Sequence, residues 1–175
     1  MKISKLSIPG CYKIFFKPNK DTRGFFTRTY CKKEFKKFKI NDRWVQNNLS
    51  LNKYKNTLRG LHYQTRPFEE DKLVRCVHGS VIDYILDLRK KSKTYMKLLK
   101  IKLSDKNFLS VYVPRGCAHG YITLQNNTIL SYSVTNYYSK KNERTFPFFD
   151  KRLKIKFPIK PKYISKKDLK PKKKS

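Results

Sequence analysis

Short alternating runs of β-branched and aromatic residues, cut at close intervals by turn formers, restrict this chain more than any other feature. The clearest run is Val81 to Leu88, where Ile82, Tyr84, Leu86 and Leu88 share one side by the two-residue period of an extended strand. That side is expected to be buried. Similar runs occur at Tyr12 to Phe16, Phe25 to Tyr30, Thr57 to Tyr63, Leu73 to Val77, Tyr95 to Leu103, Leu109 to Val113, Tyr121 to Leu124 and Thr128 to Asn136. Between them lie Asn19 to Asp21, His78 with Gly79, Ser104 to Asn107, Arg115 with Gly116, and Gln125 to Asn127, all turn chemistry. Many short strands at this spacing predict an all-β sandwich or barrel. One helix is expected at about Lys32 to Phe38, where Phe35 and Phe38 fall on one side among lysines. No repeat of fixed period and no linker divides the 175 residues, so a single domain over 1–175 is expected. Its stretch from about 159 to 175 reads as a basic tail, with Lys166 to Ser175 solvated and poorly ordered.

The formal charge of +31 raises the question of polyanion binding, and a basic nucleic-acid or polyanion module is the competing reading of another class. Only ten of the 43 basic residues are arginines, whereas nucleic-acid readers lean on arginine for bidentate contacts. Ala118 is the only alanine, so a coding bias toward lysine, asparagine, isoleucine and tyrosine accounts for much of the charge. No specific nucleic-acid partner is expected. A positive field still serves an enzyme with a diphosphate substrate, because it concentrates anions. The four cysteines, Cys11, Cys31, Cys76 and Cys117, show no paired spacing and read as free thiols of a reducing compartment. The first sixteen residues are interrupted by Lys2, Lys5, Pro9, Gly10 and Lys13, unlike a signal peptide, and no run approaches the ~20 apolar residues of a membrane span. A cytoplasmic protein without membrane partners is expected.

Two histidines, His62 and His119, stand with cations and tyrosines on neighbouring strand-like segments, which is the material of a cofactor-free acid/base site. Taken singly, His62 and His119 also fit hydrogen-bonded barrel histidines, Tyr132 a packed aromatic, and Lys72 an exposed lysine at a strand start. A facial metal triad of His62, His119 and a carboxylate was the nearest alternative. The absence of an H-x-H pair argues against it, since Leu61 and Tyr63 flank His62.

The motifs RGLHYQ at 59 to 64, KLVRC at 72 to 76 and PRGCAHGY at 114 to 121 resemble, in order and spacing, the dTDP-4-dehydrorhamnose 3,5-epimerases. DTRGFF at 21 to 26, WVQNNLS at 44 to 50, DLRKKSKTY at 87 to 95, TNYYS at 135 to 139 and LKIKFP at 153 to 158 extend the likeness over nearly the whole chain. The resemblance implies a double-stranded β-helix or jelly roll, cupin-like, with one or two short peripheral helices. It implies a homodimer that takes a dTDP-sugar and uses no cofactor and no metal. It further implies His62 as the base, oriented by Asp168, Lys72 as the cation on the enolate, and Tyr132 as the acid on the opposite face. For substrate contacts it implies Arg23 and Arg59 toward the nucleotide-sugar, Gln46 and Asn48 toward the base, Tyr138 as a stacking ring, Glu143 near it, and His119 as a further contact to the substrate.

The chemistry fits such a small set. In a 4-keto-6-deoxy sugar both C3–H and C5–H lie α to the carbonyl, so removing either proton leaves an enolate with its charge on one oxygen. Reprotonation from the other face inverts the centre. Departures fall in the recognition shell: Arg28 stands where the family usually carries glutamate, and Asn47 and Leu49 replace a common aspartate and histidine. Related 3-epimerases, 5-epimerases and 3,4-ketoisomerases of nucleotide-sugars are the alternatives within the same chemistry.

Overall fold

The strands predicted from the alternating runs assemble in the computed structural model, which describes residues 1–169, into two large sheets, antiparallel except for one short strand, and a separate two-stranded hairpin. In chain order they are β1 (Lys2–Lys5), β2 (Tyr12–Phe15), β3 (Asn19–Asp21), β4 (Gly24–Phe26), β5 (Gln46–Asn52), β6 (Thr57–Gln64), β7 (Lys72–His78), β8 (Ser80–Asp87), β9 (Leu98–Ser104), β10 (Leu109–Val113), β11 (Cys117–Thr123), β12 (Thr128–Val134), β13 (Glu143–Thr145) and β14 (Tyr163–Ile164). Helix α1 (Lys32–Lys37) follows β4 and α2 (Lys166–Leu169) follows β14. Sheet I has the order β1-β2-β10-β7-β12-β5 and sheet II the order β13-β6-β11-β8-β9, with β14 added in parallel to β6. Apart from β1–β2 and β8–β9, neighbours in each sheet are distant in sequence, as in a jelly roll.

Three apolar layers hold the sandwich. Between the sheets, Val74, Cys76, Val111, Val113 and Leu130 of sheet I meet Val81, Ile85, Leu103 and Tyr121 of sheet II. Outside sheet I, α1 lays Phe35 against Ile14, Phe16 and Tyr112. Outside sheet II, Leu58, Leu61, Tyr84, Leu86 and Ile122 are covered by Phe148, with Phe146, Leu153, Ile155 and Phe157 around them. This last layer explains why one-sided alternation described β8 incompletely. Tyr84 and Leu86 are buried as expected, but so are Val81, Asp83 and Ile85 on the opposite side. A strand covered on both faces has no polar side to display.

Several boundaries differ from the sequence expectation. The run Phe25 to Tyr30 keeps ladder pairing only to Phe26, and Tyr95 to Leu103 begins its strand at Leu98 after a turn with Met96 at positive φ. His119 lies inside β11. The basic tail is corrected most clearly. Tyr163 and Ile164 make a short parallel pairing with Thr57 and Leu58, and within the stretch expected to be solvated α2 buries Asp168 at 4% exposure. The physical reason is that β6 is an edge whose backbone needs partners, and the tail supplies them. Residues 170–175 of that expected tail lie outside the described residues. Among the described residues no helix is long and apolar enough to cross a membrane.

Candidate active site

β6 and β11 come unusually close, and two glycines permit it. A Cβ on Gly60 would lie 2.6 Å from the Gly120 Cα, and one on Gly120 would lie 2.4 Å from the Arg59 carbonyl oxygen. Gly60 also has φ +112°, where side chains are strained. The glycines of RGLH and AHGY are therefore demanded by backbone contact. Beside them His62 and His119 stand opposite each other in register, followed by a register shift before Tyr121.

The outer edge of β6 is shared. β13 pairs Thr145 with His62 through Glu143 with Gln64, while β14 pairs at Thr57 and Leu58. In the gap between them the Asp168 carboxylate accepts from the Gly60 N–H at 3.4 Å and meets His62 Nε2 at 2.7 Å. Ser165 Oγ accepts from the Asp168 N–H and fixes the turn. Burial raises the Asp168 carboxyl, but the His62 hydrogen bond and charge, with Gly60 and Ser165, outweigh it and hold the group below the usual carboxylate range. A carboxylate only accepts, so Nε2 carries the proton and Nδ1 keeps a free lone pair.

His62 opens onto a cleft of about 130 Å³ between the two sheets, with Asn48, Tyr63, Gln64, Glu70, Lys72, Tyr132, Tyr138 and Glu143 around it. His62, Tyr63 and Gln64 come from sheet II; Asn48, Lys72 and Tyr132 come from β5, β7 and β12 of sheet I. The imidazole and the phenol thus belong to opposite walls. Burial, followed by the neighbouring Tyr121 and Glu70 charges, raises the Tyr132 phenol, with Arg59 pulling the other way. Tyr132 therefore keeps its phenol proton at neutral pH. Lys72 is buried rather than exposed, and its Nζ donates to Glu70 Oε1 at 2.6 Å. Gln64 donates to the other Glu70 oxygen and to the Phe68 and Tyr137 carbonyls, and accepts from the Ser139 N–H at 2.6 Å, so it fastens the loops at the mouth.

At that mouth the Gln46 amide donates to Asn48 Oδ1 at 2.8 Å and accepts from the Tyr138 N–H. Tyr138 OH donates to Glu143 Oε2 at 3.0 Å, and Lys167 pairs with the other Glu143 oxygen. Burial raises Glu143, and Lys167 more than reverses it, leaving the carboxyl below its usual range. His119, Arg23 and Arg59, expected at the substrate, do not line this cleft. His119 turns to Asp83, with Nε2 to Oδ2 at 2.7 Å, beside His62 but behind the cleft wall. Arg23 sits on the β3–β4 hairpin with its side chain 87% exposed, bound to Asp21 and away from this cleft. Arg59 donates to Asn52 Oδ1 at 2.8 Å, in a cluster with Tyr121 and Ser50.

Sequence reasoning named Tyr63 and Gln64 only as parts of a motif and missed Glu70, Asp83 and Tyr121. Asp83 left a signal: a carboxylate in the middle of an otherwise apolar strand. Burial drives its carboxyl upward against the pull of His119, and its Oδ1 is buried without a partner among the described residues. Among the described residues no group of three or more His, Cys, Asp or Glu side chains is placed to hold a metal ion.

Two walls of a jelly roll that present an imidazole and a phenol to one cleft place the chain among the cupin-like folds with a candidate acid/base site. The model of the dTDP-4-dehydrorhamnose 3,5-epimerase family matches residues 5–174. A dTDP-4-dehydrorhamnose 3,5-epimerase of Shigella flexneri is 37% identical over 174 residues, covering 97% of this chain and 93% of the relative. The crystal structure of a Bacillus anthracis dTDP-4-dehydrorhamnose 3,5-epimerase with TDP and pyrophosphate bound superposes with a TM-score of 0.92 at 35% identity, covering 95% of each chain. A Legionella pneumophila dTDP-6-deoxy-D-glucose-3,5-epimerase in complex with dTDP-4-keto-L-rhamnose gives 0.90 at 33% identity, covering 95% of this chain and 89% of the other. The chain belongs to the dTDP-4-dehydrorhamnose 3,5-epimerase family.

Proposed function

We propose that this protein converts dTDP-4-dehydro-6-deoxy-D-glucose to dTDP-4-dehydro-L-rhamnose by inverting C3 and C5 without a cofactor. The observation that carries the reading is the placement of His62 and Tyr132 on opposite sheets of one cleft, with Lys72 also in its lining. In this reading His62 Nδ1 removes the proton from C5 or C3, and the electron pair of the C–H bond moves into the carbonyl to give an enolate at O4. The Lys72 ammonium stabilises that oxygen. Tyr132 returns a proton to the opposite face of the carbon, the electron pair falls back from O4, and solvent resets both groups. Asp168 holds the imidazole in the basic tautomer and stabilises the imidazolium.

Nucleotide recognition falls to the mouth. Tyr138 stacks on the base, a contact worth roughly 1–3 kcal/mol. Gln46 and Asn48 pair with its edge, Glu143 orients Tyr138, and His119, held by Asp83, supports the sugar side of the wall. Arg59 and Arg23 meet the diphosphate. Since Arg23 does not line the cleft of its own chain, its contact requires the second copy of a homodimer. The four free thiols fit a cytoplasmic enzyme.

Proton NMR of the protein with dTDP-4-dehydro-6-deoxyglucose in deuterated water tests the reading. Loss of both the C3 and C5 proton signals, with His62→Ala inert, is the expected result. Exchange at C3 alone makes it a monoepimerase or ketoisomerase, and full activity in the His62→Ala protein sinks the assignment of the base.

A further inference from the structure

The face of sheet I turned away from the cleft carries a second polar pocket. Along β7, Lys72, Val74 and Cys76 point inward, which leaves Arg75 outward. Three strands place it between two hydroxyls: Ser110 of β10 and Ser131 of β12 are its cross-strand partners in register. With Asn47, Thr29 and Tyr30 these groups enclose a cavity of about 90 Å³.

Two features of that cavity point to a missing ligand. Ser110 is fully buried and its Oγ has no hydrogen-bond partner among the described residues. Arg75 is half-buried, and among the described residues no carboxylate lies within ion-pair distance of its guanidinium. The nearby acids are otherwise engaged: Asp42 is held by the Tyr30 hydroxyl at 2.7 Å, and Asp105, in the adjoining groove, by the Gly79 N–H at 2.9 Å. Burial alone lowers the Arg75 guanidinium, with no counter-charge to oppose it. A desolvated guanidinium and unused hydroxyls are a poor arrangement for an empty fold and a good one for a bound acceptor. Asn47 Nδ2 already donates to Ser133 Oγ, so the Ser133 proton is also free to turn toward the pocket.

We infer that Arg75, Ser110 and Ser131 form a binding site for a small tetrahedral oxyanion, phosphate or sulfate in size and charge, on the outer face of sheet I. Arginine offers such an ion two parallel N–H donors, and the serine hydroxyls supply further ones. The net charge of +31 raises the local concentration of any such anion. Larger phosphate esters do not fit a cavity of about 90 Å³ except by their terminal group. The site shares strands β5, β7 and β12 with the cleft but none of its side chains.

The test is calorimetric titration of inorganic phosphate into the full-length protein, with the cleft first saturated with dTDP and with ~0.15 M chloride present to screen diffuse charge. Wild type is expected to give one saturable site per chain, and sulfate to compete for it. Arg75→Gln should weaken binding by about tenfold or more, and Arg75→Lys, which keeps the charge but loses the fork, should fall between. Ser131→Ala should weaken it less while leaving C–H exchange in the cleft unchanged, which also covers the case of a poorly folded Arg75 variant. Absence of a saturable site in wild type overturns the proposal, including the case in which a second copy of the chain covers this face. So does equal affinity in wild type and Arg75→Lys.

Discussion

Replacing Asp168 with asparagine isolates the contribution of one charge to proton abstraction. Asparagine keeps the size of the buried side chain and an oxygen for the Gly60 N–H, so the 3.4 Å backbone bond persists. What changes is the 2.7 Å contact to His62 Nε2. The amide either presents N–H to a nitrogen that also bears hydrogen, or flips the imidazole to the tautomer whose Nδ1 cannot accept a proton. Opposite unit charges about 4 Å apart are worth roughly 4 kcal/mol at an effective dielectric near ~20. His62 is 31% exposed, and solvent screening reduces that gain. A loss of ~2–3 kcal/mol of stabilisation for the imidazolium remains, which is about 30- to 150-fold in kcat. KM should hardly move, because Asp168 does not line the cleft. The rate at which the C5 proton signal disappears in deuterated water at saturating substrate reads the proton-abstraction step that Asp168 supports. An Asp168→Asn protein that is correctly folded and exchanges within about twofold of wild type would falsify the dyad.

Three further outcomes are expected. Tyr132→Phe should leave C–H exchange partly intact while abolishing inversion at C5; product stereochemistry by NMR checks it, and an unchanged product excludes the phenol as the acid. Gly120→Ala puts a methyl 2.4 Å from the Arg59 carbonyl oxygen, where only backbone movement makes room, and should cost ~1–3 kcal/mol or more, seen as a lower urea midpoint at constant slope. Asp87 is raised by burial but brought down to about 2 by hydrogen bonds from Arg89, Ser92 and Thr94. A carboxyl depressed on folding stabilises fully above its unfolded value near ~3.9 and loses that contribution as pH falls toward about 2. Thermal melts of wild type should therefore fall over that interval more steeply than those of Asp87→Asn, and parallel curves contradict the assignment.

The sheets were legible because their strands alternate or are richly β-branched, and because turn residues mark their ends. β5 escaped detection: Gln46 to Asn52 is polar on its cleft face and exposes Leu49 and Leu51 on the other, so its pattern is that of an edge, not of a core strand. The C-terminal stretch escaped for a different reason. Lysine-rich composition describes what faces water, and α2 hides one carboxylate among those lysines. Composition cannot register a single buried contact. The motif likeness placed Asp168 where the structure brings it, against His62, while the same stretch read by composition alone gave a solvated tail. His119 and Lys72 show the converse limit: residue type predicted polar groups near the cleft, but their partners Asp83 and Glu70 depend on strand register that no local pattern contains.

His62 and its carboxylate partner are 106 residues apart in sequence, and the partner arrives on a two-residue strand followed by a single helical turn. So few ordered contacts open at far lower free energy than two packed sheets do. Release of that segment would part Asp168 from His62 while the sandwich stays folded. With His62 as the proposed base, turnover on heating is expected to fail below the melting of the two sheets, because the turn that carries Asp168 is held by fewer contacts than the core.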